Sequence, residues 1–226
     1  MMKRIIAPLL IGLIGAAILI TLGTWQVQRL AWKSAVLDDI DRVIAGDTQP
    51  LPTMISPSEQ RYVPVALEGT VEEGALYVLV SVKRRGPGWR VISPFSTTDG
   101  RRVLLDRGFI PTEEKSDPRY VGPARITGNL HWTDDRNSST PENDVAGNTW
   151  FARDIAQMSE QLKTEPILII TRTMSPPDPG LLPLPVDSSG VTNDHLQYAI
   201  TWFSLAGIWL LMTGVWIRRL LQQRQT

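Results

Sequence analysis

Two runs without a charged side chain, Ile5 to Leu22 and Tyr198 to Ile217, lie near the two ends of a 226-residue chain. No other feature restricts the fold as tightly. In hydrocarbon the backbone has to satisfy its own hydrogen bonds, so an apolar run of this length is a helix. At 1.5 Å per residue each run reaches across a core of about 30 Å. The first run is longer than the roughly 7–15-residue apolar core of a secretory signal, and no small-x-small cleavage site follows it. It is therefore predicted to stay as an anchor. The expected organisation is one transmembrane helix at 5–24, a second at 198–217, and a single water-facing domain at 25–190 between them.

Charge sets the expected orientation. Arg218, Arg219 and Arg224 follow the second run at once, whereas no Lys or Arg lies between Thr173 and Ile217. Lys3 and Arg4 before the first run are balanced by Arg29 and Lys33 after it, so the second run decides. By the positive-inside rule both termini are cytoplasmic and the domain is periplasmic. The abrupt start leaves no room for an Arg- and Ser-rich transit peptide, which points to a bacterial plasma (inner) membrane. Lys+Arg and Asp+Glu number 23 each, so no net charge speaks for a nucleic-acid partner. With no cysteine, disulfides, thiolate metal sites and cysteine nucleophiles are excluded.

Trp25, Trp202 and Trp216 sit near the run ends, where amphipathic rings gather at the lipid interface. Gly12, Gly15 and Ala16 in the first run, and Ala206, Gly207 and Gly214 in the second, are small enough for close helix contact.

Between the runs the periodicity changes. Residues 25–45 keep a helical repeat of Val27, Leu30, Leu37, Ile40 and Ile44 among charged residues, so the first span should continue as an amphipathic helix until Gly46, Pro50 and Pro52 end it. Tyr62–Val71, Leu76–Val82, Trp89–Phe95, Arg102–Asp106, Arg125–Trp132 and Ile167–Thr171 are short β-branched runs, most of them bounded by turn residues. Arg85-Gly86-Pro87-Gly88 and Thr98-Asp99-Gly100-Arg101 are the clearest turns. Six such runs predict a mostly-β domain, barrel or sandwich, with one further helix from Arg153 to Leu162 capped by Asp154. Asp134 to Asn148 reads as a mobile polar loop, and the proline-rich stretch 173–190 as an extended linker returning to the membrane.

Candidate chemistry is sparse in the middle. His131 reads as a strand histidine making an ordinary hydrogen bond, with no triad pattern around it. Asp134-Asp135 and Glu113-Glu114 read as solvated loop acids, and Lys83-Arg84-Arg85 as a soluble hairpin end. A hydrolase or sensor would need a site that this stretch does not offer. The outer end of the second span is richer. Asp194 and Gln197 are spaced as a capping pair, and His195, Trp202, Trp209 and Trp216 recur every seven residues on one stripe. Trp25 and Arg29, four apart, share a face of the first helix. If the spans are antiparallel neighbours, Trp25, Arg29, His195, Tyr198 and Trp202 meet at one depth. A neutral imidazole ligates haem iron, aromatic rings flank a flat apolar macrocycle and an arginine pairs with carboxylates. The same residues also fit an interfacial aromatic belt with a histidine at a helix start.

Five motifs in order between the two spans carry a resemblance. They are Leu22-Gly23-Thr24-Trp25-Gln26-Val27-Gln28-Arg29 with Trp32-Lys33, then Tyr62-Val63-Pro64-Val65 with Leu67-Glu68-Gly69, then Gly88-Trp89-Arg90-Val91-Ile92-Ser93-Pro94, then Asp106-Arg107-Gly108-Phe109-Ile110-Pro111, and last the stretch from Asn193-Asp194-His195-Leu196-Gln197-Tyr198 to Ala206. Nearly end to end, the chain resembles the surfeit-locus-protein-1 family of cytochrome c oxidase assembly factors. It departs at Asp106 and Phe109, where the family usually has Asn and Trp, and its Arg84–Gly88 turn is compact. The resemblance implies a non-enzymatic assembly factor for a haem-copper terminal oxidase, one that binds haem a and assists its insertion into, or retention by, the catalytic subunit. It places the axial iron ligand at His195. Pocket or propionate contacts from Trp25, Arg29, Tyr198 and Trp202 are inferred from depth and facing. The implied partners are the catalytic subunit, with haem a synthase as a second candidate, and membrane lipid. The alternative is a scaffold or accessory subunit that stabilises an assembly intermediate without touching haem.

Overall fold

The computed structural model describes residues 3–132 and 135–222, so expectations placed on Asp134, on Arg224 and on the side chains of Lys3 and Arg4 lie outside it. The chain falls into two compact units, one formed by the terminal stretches up to Asp39 and from Ser188, the other by Ile40–Asp187.

The terminal unit is a helix pair. α1 runs Lys3–Ile44, and its continuity from apolar run into amphipathic repeat agrees with the sequence periodicity. Contacts with the C-terminal helix, His195–Gln222, run in opposite order along the two chains: Gly12 with Thr213, Gly15 with Trp209, Gly23 with Phe203. The helices are therefore antiparallel. A Cβ at Gly12 or Gly15 would overlap the Thr213 or Trp209 side chain, and one at Gly23 would lie 2.8 Å from the Phe203 ring. Small residues let the backbones approach, and Trp209 Nε1 donates to the Gly12 carbonyl at 3.1 Å. Ala16, Ala199 and Ala206 are buried in the seam. Gly207 and Gly214 are not part of it, since nothing lies within 4 Å of a Cβ at either position. Elsewhere the pair exposes Leu, Ile and Trp side chains, Leu211 at 68 % among them. An apolar surface of that kind suits hydrocarbon, and both helices are long and apolar enough to cross a membrane.

The unit 40–187 is a closed barrel with additions. Its strands are β1 (Gln49–Pro50), β2 (Pro64–Val71), β3 (Leu76–Val82), β4 (Gly86–Thr97), β5 (Arg102–Pro111), β6 (Gly122–His131) and β7 (Leu168–Ser175), with a single helical turn, α2, at Pro57–Gln60 and a helix α3 at Ile155–Leu162. The C-terminal helix is α4. Sheet order is β1-β2-β6-β7-β5-β4-β3, and a further pairing of β2 with β4 closes five strands, β2-β6-β7-β5-β4, into a ring. β4 makes closure possible because it serves three neighbours. Its first half pairs with β3, its last residues pair with β2, and a bulge at Val91/Ile92 interrupts its ladder with β5. A bulge bends and twists a strand enough to turn a barrel corner.

All six sequence-predicted strands are present. β4 and β5 are longer than expected, because Gly86, Pro87 and Gly88 belong to the strand and the turn tightens to Lys83–Arg85. β1 has only two residues and left no periodic signal. β5 is buried on both faces: Val103 and Leu105 join Phe95, Ile126 and Ile169 in one core, while Leu104 joins Trp150, Met158 and Leu162 in a second. α3 covers that second core. It starts at Asp154, whose side chain accepts from the Gln157 N–H at 3.1 Å, and stops at Lys163 in the left-handed region. Burying Met158 and Leu162 contributes about 1.5–3 kcal/mol each.

Two loop expectations are corrected. The stretch 173–190 is not simply a linker, since β7 runs to Ser175 and the chain then docks on the barrel. Phe109 and Leu182 exchange backbone hydrogen bonds at 2.7 and 2.9 Å, and Asp178 pairs with the buried Arg107. Gly108, at φ +119°, permits this: a Cβ there would strike the Leu182 carbonyl. The described part of the 134–148 loop is tied down as well. Asp135 pairs with Arg153 at 2.6 Å, and Asn143 Oδ1 accepts from the Phe151 N–H at 2.9 Å.

Candidate functional site

Of the five residues singled out for binding, His195 is the one the helix pair engages directly. It opens α4. Its Nδ1 lies 2.7 Å from Oε1 of Gln26 on α1. Gln26 is 8 % exposed, so the amide oxygen is held in the seam rather than in solvent. With that oxygen as acceptor, Nδ1 carries the proton and Nε2 keeps its lone pair. Two further bonds hold the start of α4 against α1. Lys33 Nζ donates to the Thr192 carbonyl at 2.5 Å, and Asn193 Nδ2 donates to Ser34 Oγ at 3.3 Å. The Asp194 carbonyl accepts from the Tyr198 N–H at 3.2 Å, the first turn of the helix.

The other four residues are placed less tightly. Trp25 precedes Gln26 but points to the exposed side of α1 at 53 %, and Tyr198 is 56 % exposed. Trp202 is half-buried. The Arg29 guanidinium lies over the Trp32 ring, 3.9 Å from its centroid. The helix pair thus holds an imidazole through its Nδ1 and leaves aromatic faces and a cation on its surface. Gln26 was missed in the sequence reading. Its signal was modest: it is the first amide after the apolar run.

The barrel unit holds the second histidine. His131 ends β6, and its Nδ1 is buried with no partner among the described residues. Its ring lies 5.4 Å from that of Tyr62, centroid to centroid. Burial, then the charges of Arg153 and Arg61, push its pKa down to about 4 from 6.5; Asp135 opposes this and Arg90 adds to it. Protonation therefore favours the unfolded chain. The stability that neutral His131 provides is complete above about pH 6.5 and is lost as pH falls towards 4. The slope there is at most about 1.4 kcal/mol per pH unit. His131→Phe should flatten the stability profile between those values, as followed by denaturation at pH 4.5 and 7. An unchanged profile would remove His131 as the acid-labile group.

The departure at Asp106 has a structural account. Its carboxylate is fully buried, paired with Arg90, 3.6 Å from Arg153 Nη1, and it accepts from the Gly108 N–H at 3.1 Å. An acid is tolerated because cations surround it. Phe109 keeps an aromatic ring against the open face of Gly88, where a Cβ would overlap it.

The SURF1 family profile matches residues 13–207. Similar proteins include a SURF1-like protein of Rickettsia felis, 30 % identical over 93 % of this chain and 96 % of that one. The Surfeit locus protein 1 of Homo sapiens is 29 % identical over 89 % of this chain and 73 % of its own length. That of Xenopus tropicalis is 28 % identical over 90 % and 72 %.

Proposed function

The chain belongs to the SURF1 family, and from that premise we propose that it is an assembly factor for a haem-copper oxidase, binding haem a at His195 and assisting its insertion into, or retention by, the catalytic subunit. The observation that carries this reading is the His195–Gln26 pair. A histidine that ligates a metal through one ring nitrogen ordinarily donates from the other to a fixed oxygen, which sets tautomer and ring orientation. Here the oxygen is an amide buried between two apolar helices. The donor set fits the group: one imidazole with a free nitrogen, exposed rings of Trp25 and Tyr198, half-buried Trp202, and the Arg29 cation. Haem, when bound, would supply an iron for the His195 imidazole to ligate. The protein's own share is to orient His195, to offer apolar surface and to hold a cation within reach of carboxylates. Nothing in this requires turnover chemistry.

The same reading puts both helices across the bacterial plasma membrane, with the termini cytoplasmic and the unit 40–187 in the periplasm. Arg218 and Arg219 after the second span support that orientation.

The test is the visible spectrum of the full chain purified in mild detergent from cells that make haem a. A haem chromophore is expected to co-purify and to be lost in His195→Ala while membrane insertion is unchanged. Insertion is followed through a single cysteine placed at Met54, which is 87 % exposed in a chain without cysteines. It should react with an impermeant maleimide from the periplasmic side. An unchanged chromophore in His195→Ala would remove His195 as ligand. A stable oxidase complex with no chromophore would favour the scaffold role instead.

A further inference from the structure

Arg107 and Arg119, in the barrel unit, line one cavity of about 310 Å³ together with Ala75, Tyr77 and Val121. Both side chains are more than nine-tenths buried, at 1 % and 8 % exposure. Arg107 donates from Nη2 to Asp178 and from Nη1 to Ser93 Oγ at 3.2 Å. Arg119 donates from Nε to the Asp117 carbonyl at 3.1 Å and from Nη2 to the Glu114 carbonyl at 3.3 Å. Among the described residues, each guanidinium then has one buried nitrogen without a partner, Nε of Arg107 and Nη1 of Arg119.

The charges around the cavity do not balance inside it. Two buried cations face one buried carboxylate, Asp178, at 5 % exposure. Asp117 lies 3.7 Å from Arg119 and is 59 % exposed, so water screens it. Glu72, on the same wall, is taken up by Arg102 at 2.6 Å and by Ser96. Glu73 is exposed. The buried surplus is about one positive charge.

We propose that this cavity is a binding site for a small organic monocarboxylate, held between the Arg107 and Arg119 guanidiniums that line it. Charge-assisted bonds to guanidinium nitrogens are the strong kind, and a carboxylate offers two acceptor oxygens for two separate donors. One negative charge meets the surplus. A dianion would meet the carboxylates of Glu72, Glu73 and Asp117 on the same wall. Tyr77 and Val121 supply apolar surface for a short carbon skeleton, and the volume matches the lower range of small-ligand sites. Burial, reinforced by the charge of Arg119, holds the Arg107 guanidinium below the usual arginine range despite Asp178, and a bound anion offsets the repulsion between the two cations. The site is independent of His195 and of haem.

The experiment follows the thermal unfolding midpoint of the full chain in mild detergent, with sodium acetate, butyrate or phosphate replacing chloride at constant ionic strength. Acetate should raise the midpoint saturably, by a few degrees, and butyrate should reach saturation at a lower concentration. Arg119→Gln should lose this rise, whatever its own starting midpoint. Ala75→Leu, which fills the cavity and keeps both arginines, should lose it too. The proposal is overturned if the unmodified chain shows no saturable rise, if both variants keep the full rise, or if phosphate stabilises more than acetate.

Discussion

Replacing Asp178 with Ala is expected to destabilise the barrel unit by about 3–5 kcal/mol, the cost of leaving a desolvated cation without its counter-charge. Arg107 is 1 % exposed and Asp178 5 %, so solvent cannot take the place of the missing carboxylate. Among the described residues, the remaining partner of that guanidinium is the Ser93 hydroxyl at 3.2 Å. The loss reaches beyond the pair, because Asp178 is one of the points where the returning chain is fastened to β5, beside the Phe109–Leu182 backbone bonds. Asp178→Asn should cost less, since the amide oxygen still accepts. Changing both partners to apolar residues of similar volume, Arg107→Met with Asp178→Leu, should recover most of the stability, because a buried pair replaced by packing is often neutral. Chemical denaturation of the detergent-solubilised chain measures all three. A loss below about 1 kcal/mol for Asp178→Ala would mean that the pair is hydrated in solution.

Gln26→Leu is expected to weaken haem affinity about 10- to 100-fold, the usual effect of removing the partner that orients a metal-ligating histidine. Leucine keeps the apolar seam and the helix propensity, so α1 should still insert and pack on α4. What it removes is the acceptor 2.7 Å from His195 Nδ1, and with it the preference for the tautomer that leaves Nε2 free. Gln26→Glu keeps an oxygen acceptor at that position and should restore part of the affinity. Haem titration gives the affinities, and the visible band of the bound form reports on the axial ligand itself. This prediction rests on haem binding at His195 and separates from it cleanly. Loss of the chromophore in His195→Ala together with full affinity in Gln26→Leu would keep the ligand and discard the positioning role.

The parts of the molecule that local sums describe were readable from the chain. The apolar runs at 5–24 and 198–217, the continuation of α1 to Ile44, six of the seven strands and the Asp154 cap depend on neighbours within about a turn or two. Membership of a SURF1-type family was also legible, in five short motifs kept in order.

Tertiary structure alone decided which residues face one another. That β2 pairs with β4 and closes a barrel, rather than leaving a sandwich, depends on a bulge and on a strand long enough for three partners. Nothing in hydrophobic alternation carries that. Gln26 and His195 are 169 residues apart, and their bond depends on the register of two helices set by Gly12, Gly15 and Gly23. The fastening of Asp178 and Leu182 on the barrel, the buried Nδ1 of His131 and the two arginines on one cavity arise in the same way. Periodicity reports which face of an element is buried. It does not report what that face meets, because the pairing energy belongs to two distant segments at once. Hydropathy therefore foretold the two long apolar helices, and only the packed structure showed the amide on one that meets the histidine on the other.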